Sequence, residues 1–275
     1  MGAQMEQDAR AEHVWREFLT HGVTEDQRRL RILLKMLPGD PRCKNCYVPF
    51  RGAGSGFARA ILRKYPSNLN PQLCNSCEEF ARKYPGGAEV ELSLLFADVR
   101  GSTNLAESMG TRQFSRLISR FYATATDVMG RSNALIDKII GDQAAAMYVP
   151  GMAGPEHALR ALEAGQEILR ATGHSRSEGP WIPLGVGVHT GIAYVGAVGS
   201  RDGSIDITVL GDVANTAARL ASAARVGEIL ISDAAYAAAG ANYGSLETRS
   251  LDLKGKSQPV VVHVLAQETL ISEAQ

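Results

Sequence analysis

From residue 88 onward the chain switches repeatedly between short apolar runs of period two and longer runs of period 3.6, and the order of those switches leaves few folds open. Strand patterns occur in VELSLLFADV, ALIDKII and QAAAMYV, in PLGVGVHTG and IAYVGAV, in GEILIS, and in the closing pair ETRSLDLKG and PVVVHVLA. Helix patterns occur in QFSRLISRFYATATDVM, in EHALRALEAGQEILRAT, and from Asp212 to about Ala224. Hairpins mixed with helical crossovers predict an α+β domain with helices over one mainly antiparallel sheet. The most apolar stretch, LGVGVHTGIAYVGAVG, carries five glycines and a His-Thr-Gly break, which predicts a strand hairpin rather than a lipid-spanning helix.

The residues before 88 have another character. Residues 7 to 37 predict two amphipathic helices, the first ending near Gly22, the second opened by Thr24 and Gln27 as a capping box and stopped by Pro38 and Gly39. Its face of Leu30, Leu33, Leu34 and Leu37 calls for a cover, expected from the rest of the chain, with self-association as the alternative. Residues 41 to 86 are rich in Pro, Gly, Asn and Cys, contain a basic helical candidate in GFARAILRKY, and are expected to bury little apolar surface. GAGSG at 52 to 56 reads as a flexible turn, because no strand and helix frame it as a phosphate loop. The organisation expected is a helical segment (1–40), a cysteine module (41–86), a main domain (87–268) and a tail (269–275).

Twenty-nine basic residues balance 29 acidic ones, so no net field recruits nucleic acid or an anionic membrane. The first residues lack the apolar core of a signal peptide, and a cytoplasmic setting without a membrane span is expected. There, cysteines bind metal more often than they form disulfides. Cys43, Cys46, Cys74 and Cys77 form CKNC and CNSC, the CxxC...CxxC pattern of a tetrahedral four-thiolate site, with 27 residues between the pairs. Zinc is the first choice; an iron–sulfur cluster, or thiols that form reversible disulfides, are the alternatives.

Two carboxylates stand out in the main domain. Asp98 ends an otherwise apolar run and is followed by Gly101, Ser102 and Thr103 at the start of a helix, where backbone N–H groups can face a phosphate. Asp142 follows Gly141 in what reads as a two-residue hairpin turn. If the two strands are neighbours, the pair can clamp Mg2+ or Mn2+, which favour carboxylate oxygen, and so support two-metal phosphoryl chemistry. Lys138 is read as sharing a strand face with Ile136 and Ile140, an unusual place for a cation unless it enters a pocket; snorkelling is the alternative. Asn215 and Arg219 stack four residues apart on a helix that follows Gly211, an amide and a guanidinium suited to phosphate oxygens.

Together, FADVRGST, KIIGD, GVGVHTGIAYVGAVG, LGDVANTAARL and LKGKSQPVVVHVL resemble, in order and spacing, the catalytic domain of the class III nucleotidyl cyclases, over roughly residues 88 to 266. The resemblance implies a ferredoxin-like fold in which Asp98 and Asp142 carry two Mg2+ or Mn2+ ions, and Lys138 and Thr208 read the purine. It also implies that Asn215 and Arg219 orient the ribose and stabilise the transition state, and that Arg201 and Lys256, the latter preferred over Lys254, contact the triphosphate. Adenine offers an acceptor at N1 and a donor amine at N6, which Lys138 and Thr208 match, so ATP is the expected substrate and cyclic AMP the product. The alternatives are a guanylate or dual-specificity cyclase, or a catalytically silent metal-sensing regulator. In the family the metal carboxylates and the Asn/Arg pair of one site come from different domains, so one copy here implies a twofold homodimer with composite sites.

Overall fold

A computed structural model describes residues 2–22, 25–200, 203–241 and 243–266. Thr24 and Arg201, and the side chain of Gln27, lie outside what is described. The elements in chain order are α1 (Gly2–Thr20), α2 (Glu25–Met36), α3 (Ala53–Ala60), α4 (Asn75–Lys83), β1 (Gly86–Val99), α5 (Ser102–Met109), α6 (Thr111–Arg131), β2 (Leu135–Ile140), β3 (Gln143–Tyr148), α7 (Pro150–Ala153), α8 (His157–Ala171), β4 (Leu184–Gly199), β5 (Ile205–Leu210), α9 (Asp212–Ala223), β6 (Glu228–Ser232), α10 (Asp233–Ala239), β7 (Glu247–Leu251) and β8 (Val260–Ala266).

The strands form one sheet in the order β2-β3-β1-β4-β6-β8-β7, with β5 added to β4. Among the described strands only β4 and β6 run parallel, so the expected α+β class with a mainly antiparallel sheet is what the chain forms. The expected hairpin within residues 184–199 is not formed. Thr190-Gly191 continues straight through β4, because β1 is long enough to pair with β4 from Gly86↔Ala197 to Val99↔Leu184 and supplies a ladder partner at every position. The glycines serve close packing instead. A side chain at Gly187 would lie 2.3 Å from the backbone N of Ala221 and 2.6 Å from the carbonyl of Ala217, so α9 can rest directly on the sheet.

One face of the sheet is closed by α6 and α8, whose buried stripes (Ile118, Phe121, Ala125 and Val128 in α6; Ala161, Leu162, Ile168 and Leu169 in α8) recur at helical spacing. The other face is covered by α9 together with α1, α2 and the segment 38–85. Trp15 and Leu19 of α1, Leu34 of α2, and Val48, Ala58, Leu73 and Ala81 share an apolar cluster with Val90, Leu92, Leu94 and Phe96 of β1. The cysteine segment therefore buries more than its composition suggests, because short apolar residues spaced among polar ones all turn toward a sheet that already exists. Of the leucine face on α2, Leu34 is buried but Leu33 is exposed. GAGSG is not a free turn: α3 begins at Ala53, and the Gly54 N–H donates to the Pro38 carbonyl at 2.9 Å.

Candidate active site

β1 delivers Asp98 to the end of the sheet. Leu92, Leu94 and Phe96 belong to the cluster shared with α9, so Asp98, next at even spacing, projects to that same face. It is 4% exposed. Its ladder partner Gln143 donates from Nε2 to Oδ1 at 2.7 Å, and Arg100 pairs with Oδ2. Asp142 occupies the turn between β2 and β3, where Gly141 takes φ 66, a left-handed conformation that only glycine adopts freely. The Val99 N–H donates to the Asp142 carbonyl at 3.0 Å, which holds the two acids on neighbouring strands at one end of the sheet. Ser102 Oγ, at the start of α5, donates to Asp142 Oδ2 at 2.6 Å. Burial lowers the Arg100 pKa, and the charge of Asp142 works against that shift. Two carboxylates at one sheet end are a hard-oxygen donor set of the kind that suits Mg2+ or Mn2+, and an ion bound there would take the Asp98 oxygen that Arg100 now occupies.

Lys138 does not share a face with Ile136. A bulge at Asp137 shifts the register, so that Ile136 pairs with Ala146 and Lys138 with Ala145, and Lys138 turns to the face opposite the α6/α8 core and is exposed. The residue buried at this point is Asp137, 2% exposed. Thr208 Oγ1 donates to Asp137 Oδ1 at 2.5 Å, and the Val209 N–H donates to the same oxygen at 3.3 Å. Burial raises the Asp137 carboxyl above its usual range, opposed by Thr208, Lys138, Lys44 and the Val209 N–H. The bulge thus brings the β2 segment that carries Lys138 up to the middle of β5, which carries Thr208. β5 itself has no counterpart among the expected strands, although IDITVL has the β-branched alternation of one.

Asn215 is exposed on α9, and the Arg219 guanidinium lies over Gly255 of the loop between β7 and β8. Lys256 in that loop pairs with Asp212 at the first turn of α9. Within one chain, Arg219 is therefore held by the β7–β8 loop, whereas Asp98 is held by Gln143 and Arg100. Beneath α9, His189 on β4 bonds through Nδ1 to Ser232 Oγ at 2.7 Å, and burial, then Lys256, lower its pKa to about 4 against the pull of Asp212.

The four cysteines converge, with all sulfurs within 4.8 Å of one another and Cys46 Sγ 3.6 Å from Cys74 Sγ. Tetrahedral zinc with bonds of about 2.3 Å separates its sulfurs by about 3.8 Å, so the cage has the right size. The Cys74 N–H donates to Cys43 Sγ at 3.3 Å and Asn45 Nδ2 to Cys77 Sγ at 3.4 Å, contacts that orient sulfur ligands. The neighbouring sulfurs, Cys43 foremost, hold the Cys74 thiol far below its usual range and push Cys77 up. Lys44, between the first two cysteines, donates to the Asp137 carbonyl at 3.1 Å and pairs with Asp206 on β5. Asn70 Nδ2 donates to the Ile205 carbonyl at 2.9 Å. The cage is bolted to the two strands that carry Lys138 and Thr208.

Residues 88–267 match the adenylate and guanylate cyclase catalytic domain, and the chain belongs to that family, the class III nucleotidyl cyclases. An adenylate cyclase of Anabaena cylindrica is 30% identical over 170 residues, 60% of this chain and 32% of that protein. An uncharacterised protein of Mycobacterium tuberculosis is 31% identical over 186 residues, 66% of this chain and 34% of that protein. The chain thus spans about a third of the length of these relatives. Among solved structures, the guanylyl cyclase Cya2 aligns with TM-score 0.60 and 26% identity over 65% of this chain and 93% of that one. The adenylyl cyclase CyaB of P. aeruginosa aligns with TM-score 0.56 and 26% identity over 65% and 95%. Among the described residues no helix is long and apolar enough to cross a membrane.

Proposed function

We propose that this nucleotidyl cyclase is an adenylate cyclase, converting ATP to 3',5'-cyclic AMP and pyrophosphate in a homodimer whose two sites each draw on both chains. The observation that carries the reading is that Asp98 and Asp142 lie together at one sheet end, joined by the bond from the Val99 N–H to the Asp142 carbonyl. Asp98 and Asp142 hold two Mg2+ or Mn2+ ions in this reading; when bound, such ions acidify the ribose 3'-hydroxyl and offset charge on the leaving pyrophosphate. Asn215 of the second chain orients the ribose for in-line attack on the α-phosphorus. Arg219 of that chain faces the charge that builds on the α-phosphoryl oxygens, a preorganised contact of the kind worth about 3 kcal/mol. The backbone N–H groups of Gly101, Ser102 and Thr103, with Arg201 and Lys256, take up the triphosphate. Lys256 leaves Asp212 to do so. Lys138 donates to adenine N1 and Thr208 accepts from N6.

The cysteine module of residues 41–86 binds Zn2+ in this reading, an iron–sulfur cluster being the alternative that visible absorbance separates. The catalytic unit is residues 87–268. The test is purified protein incubated with ATP or GTP and either Mg2+ or Mn2+, scored for both cyclic products, with metal analysis of the same sample. Cyclic AMP in excess of cyclic GMP is expected. A preference for GTP moves the protein to the guanylate cyclases, and the absence of both products removes the enzyme reading.

A further inference from the structure

A hydroxyl has one proton to give. At Thr208 that proton is committed: Oγ1 donates to Asp137 Oδ1 at 2.5 Å, and the oxygen that receives it also receives the Val209 N–H at 3.3 Å. With a backbone N–H fixed on Oδ1, that atom can only accept, and any proton on the carboxyl must sit on Oδ2, which is buried and has no hydrogen-bond partner among the described residues. The assignment of roles therefore does not depend on whether Asp137 is ionised. Asp137, at 2% exposure, is closed off from solvent, so water does not compete with it for the hydroxyl proton, while Thr208 keeps 6% exposure. What Thr208 has left to offer a ligand is lone pairs.

We propose that Asp137 is a positioning residue for base selection: by taking the Thr208 proton it makes that hydroxyl an acceptor only, which suits the 6-amino group of adenine and rejects the 6-oxo group of guanine. The inference rests on the assignment of Lys138 and Thr208 as the purine-reading pair and adds to it the residue that sets the polarity of one member. Geometry and polarity are fixed together, since the bulge that buries Asp137 also turns Lys138 to its face, and Lys44 anchors the bulge through the Asp137 carbonyl at 3.1 Å. Asp137 touches neither base nor phosphate and acts through Thr208.

The test uses the full chain and compares kcat/KM for ATP, GTP and purine riboside triphosphate, which keeps the N1 acceptor of adenine but lacks the 6-amino group. In the unaltered protein ATP should exceed the deamino analogue by about threefold to tenfold, the worth of one neutral hydrogen bond. Asp137→Ala frees the Thr208 proton, and the ratio of ATP to GTP should fall by a similar factor. Asp137→Asn keeps an acceptor at the Oδ1 position and should restore the ratio to within about twofold of the unaltered protein. Circular dichroism melting establishes which variants are folded, and the deamino comparison needs no variant at all. Equal use of ATP and the deamino analogue, or a folded Asp137→Ala protein with an unchanged ATP to GTP ratio, overturns the proposal while leaving cyclase activity intact. Failure of the unaltered protein to cyclise any of the three nucleotides is a separate outcome that removes the cyclase reading and this proposal with it.

Discussion

Lys44, set between the first two cysteines, donates its ammonium proton to the main-chain carbonyl of Asp137, 93 positions along the chain, at 3.1 Å. The same ammonium pairs with Asp206, and the Lys44 carbonyl accepts from the Ile136 N–H at 3.3 Å. Two strands that carry the candidate purine residues are thereby fastened to the cysteine cage. Lys44→Ala is expected to raise the KM for ATP about tenfold with a smaller change in kcat, because a half-buried ion pair and a strand anchor are lost beside the candidate purine residues. Steady-state kinetics at varied ATP checks this; a fall in kcat with unchanged KM contradicts it.

The cage itself predicts about one zinc per chain by elemental analysis, reduced to near zero in Cys74→Ser. The variant should unfold at lower temperature than the parent, because residues 41–85 share an apolar cluster with β1 and their loss uncovers that face. Stoichiometric metal in Cys74→Ser, or an unchanged melting temperature, contradicts the assignment.

Arg219→Ala is expected to lower kcat by about 10²- to 10³-fold with the fold intact, since the guanidinium lies over the Gly255 loop and not within a core cluster. Gly187→Ala should behave differently. Its new methyl group meets the backbone of α9 at 2.3 Å, so stability should fall by about 1–3 kcal/mol, and activity should fall with it as the helix bearing Asn215 and Arg219 is pushed from its seat.

Acid should destabilise the protein through His189. Its folded pKa is lowered to about 4 by burial first and Lys256 second, below the ordinary value of 6.5. The native state therefore binds fewer protons than the unfolded chain between those values. The stabilisation is present above about pH 6.5 and is lost as pH falls toward 4, on the order of 2 kcal/mol in all for a partly exposed ring. Denaturant unfolding across that range should show this slope, and His189→Asn should flatten it.

The strands that carry the acids were readable because a carboxylate closing an apolar run and a Gly-Asp pair between two such runs are local signals, and both kept their place in the fold. The side-chain partners were not readable. Asp137 sits in ALIDKII as one polar residue among apolar ones, and period two assigns it to the side opposite Ile136 without revealing a bulge, since a bulge depends on which strand lies opposite. Gln143 looks like an ordinary polar residue until the ladder sets it against Asp98, and Arg100 until the turn after β1 brings it back to the same carboxylate. The glycines of β4 read as breaks because glycine weakens a strand in isolation. Here a 14-residue neighbour on one side and a closely packed helix across the face outweigh that tendency. The contribution of residues 41–85 to the core was hidden for a related reason: Val48, Leu73 and Ala81 are too dispersed to form a periodic face and are buried only by tertiary contact.

The proposed division of one site between two chains is tested most directly by complementation. Asp98→Ala and Arg219→Ala proteins are purified separately, each expected to keep about a hundredth of the parent activity or less, then mixed under conditions that let dimers exchange. Random pairing makes about half of the dimers mixed, each with one intact site of two, so about a quarter of the parent activity should return. No recovery from a mixture shown to contain mixed dimers contradicts the account, as does full activity in either variant alone.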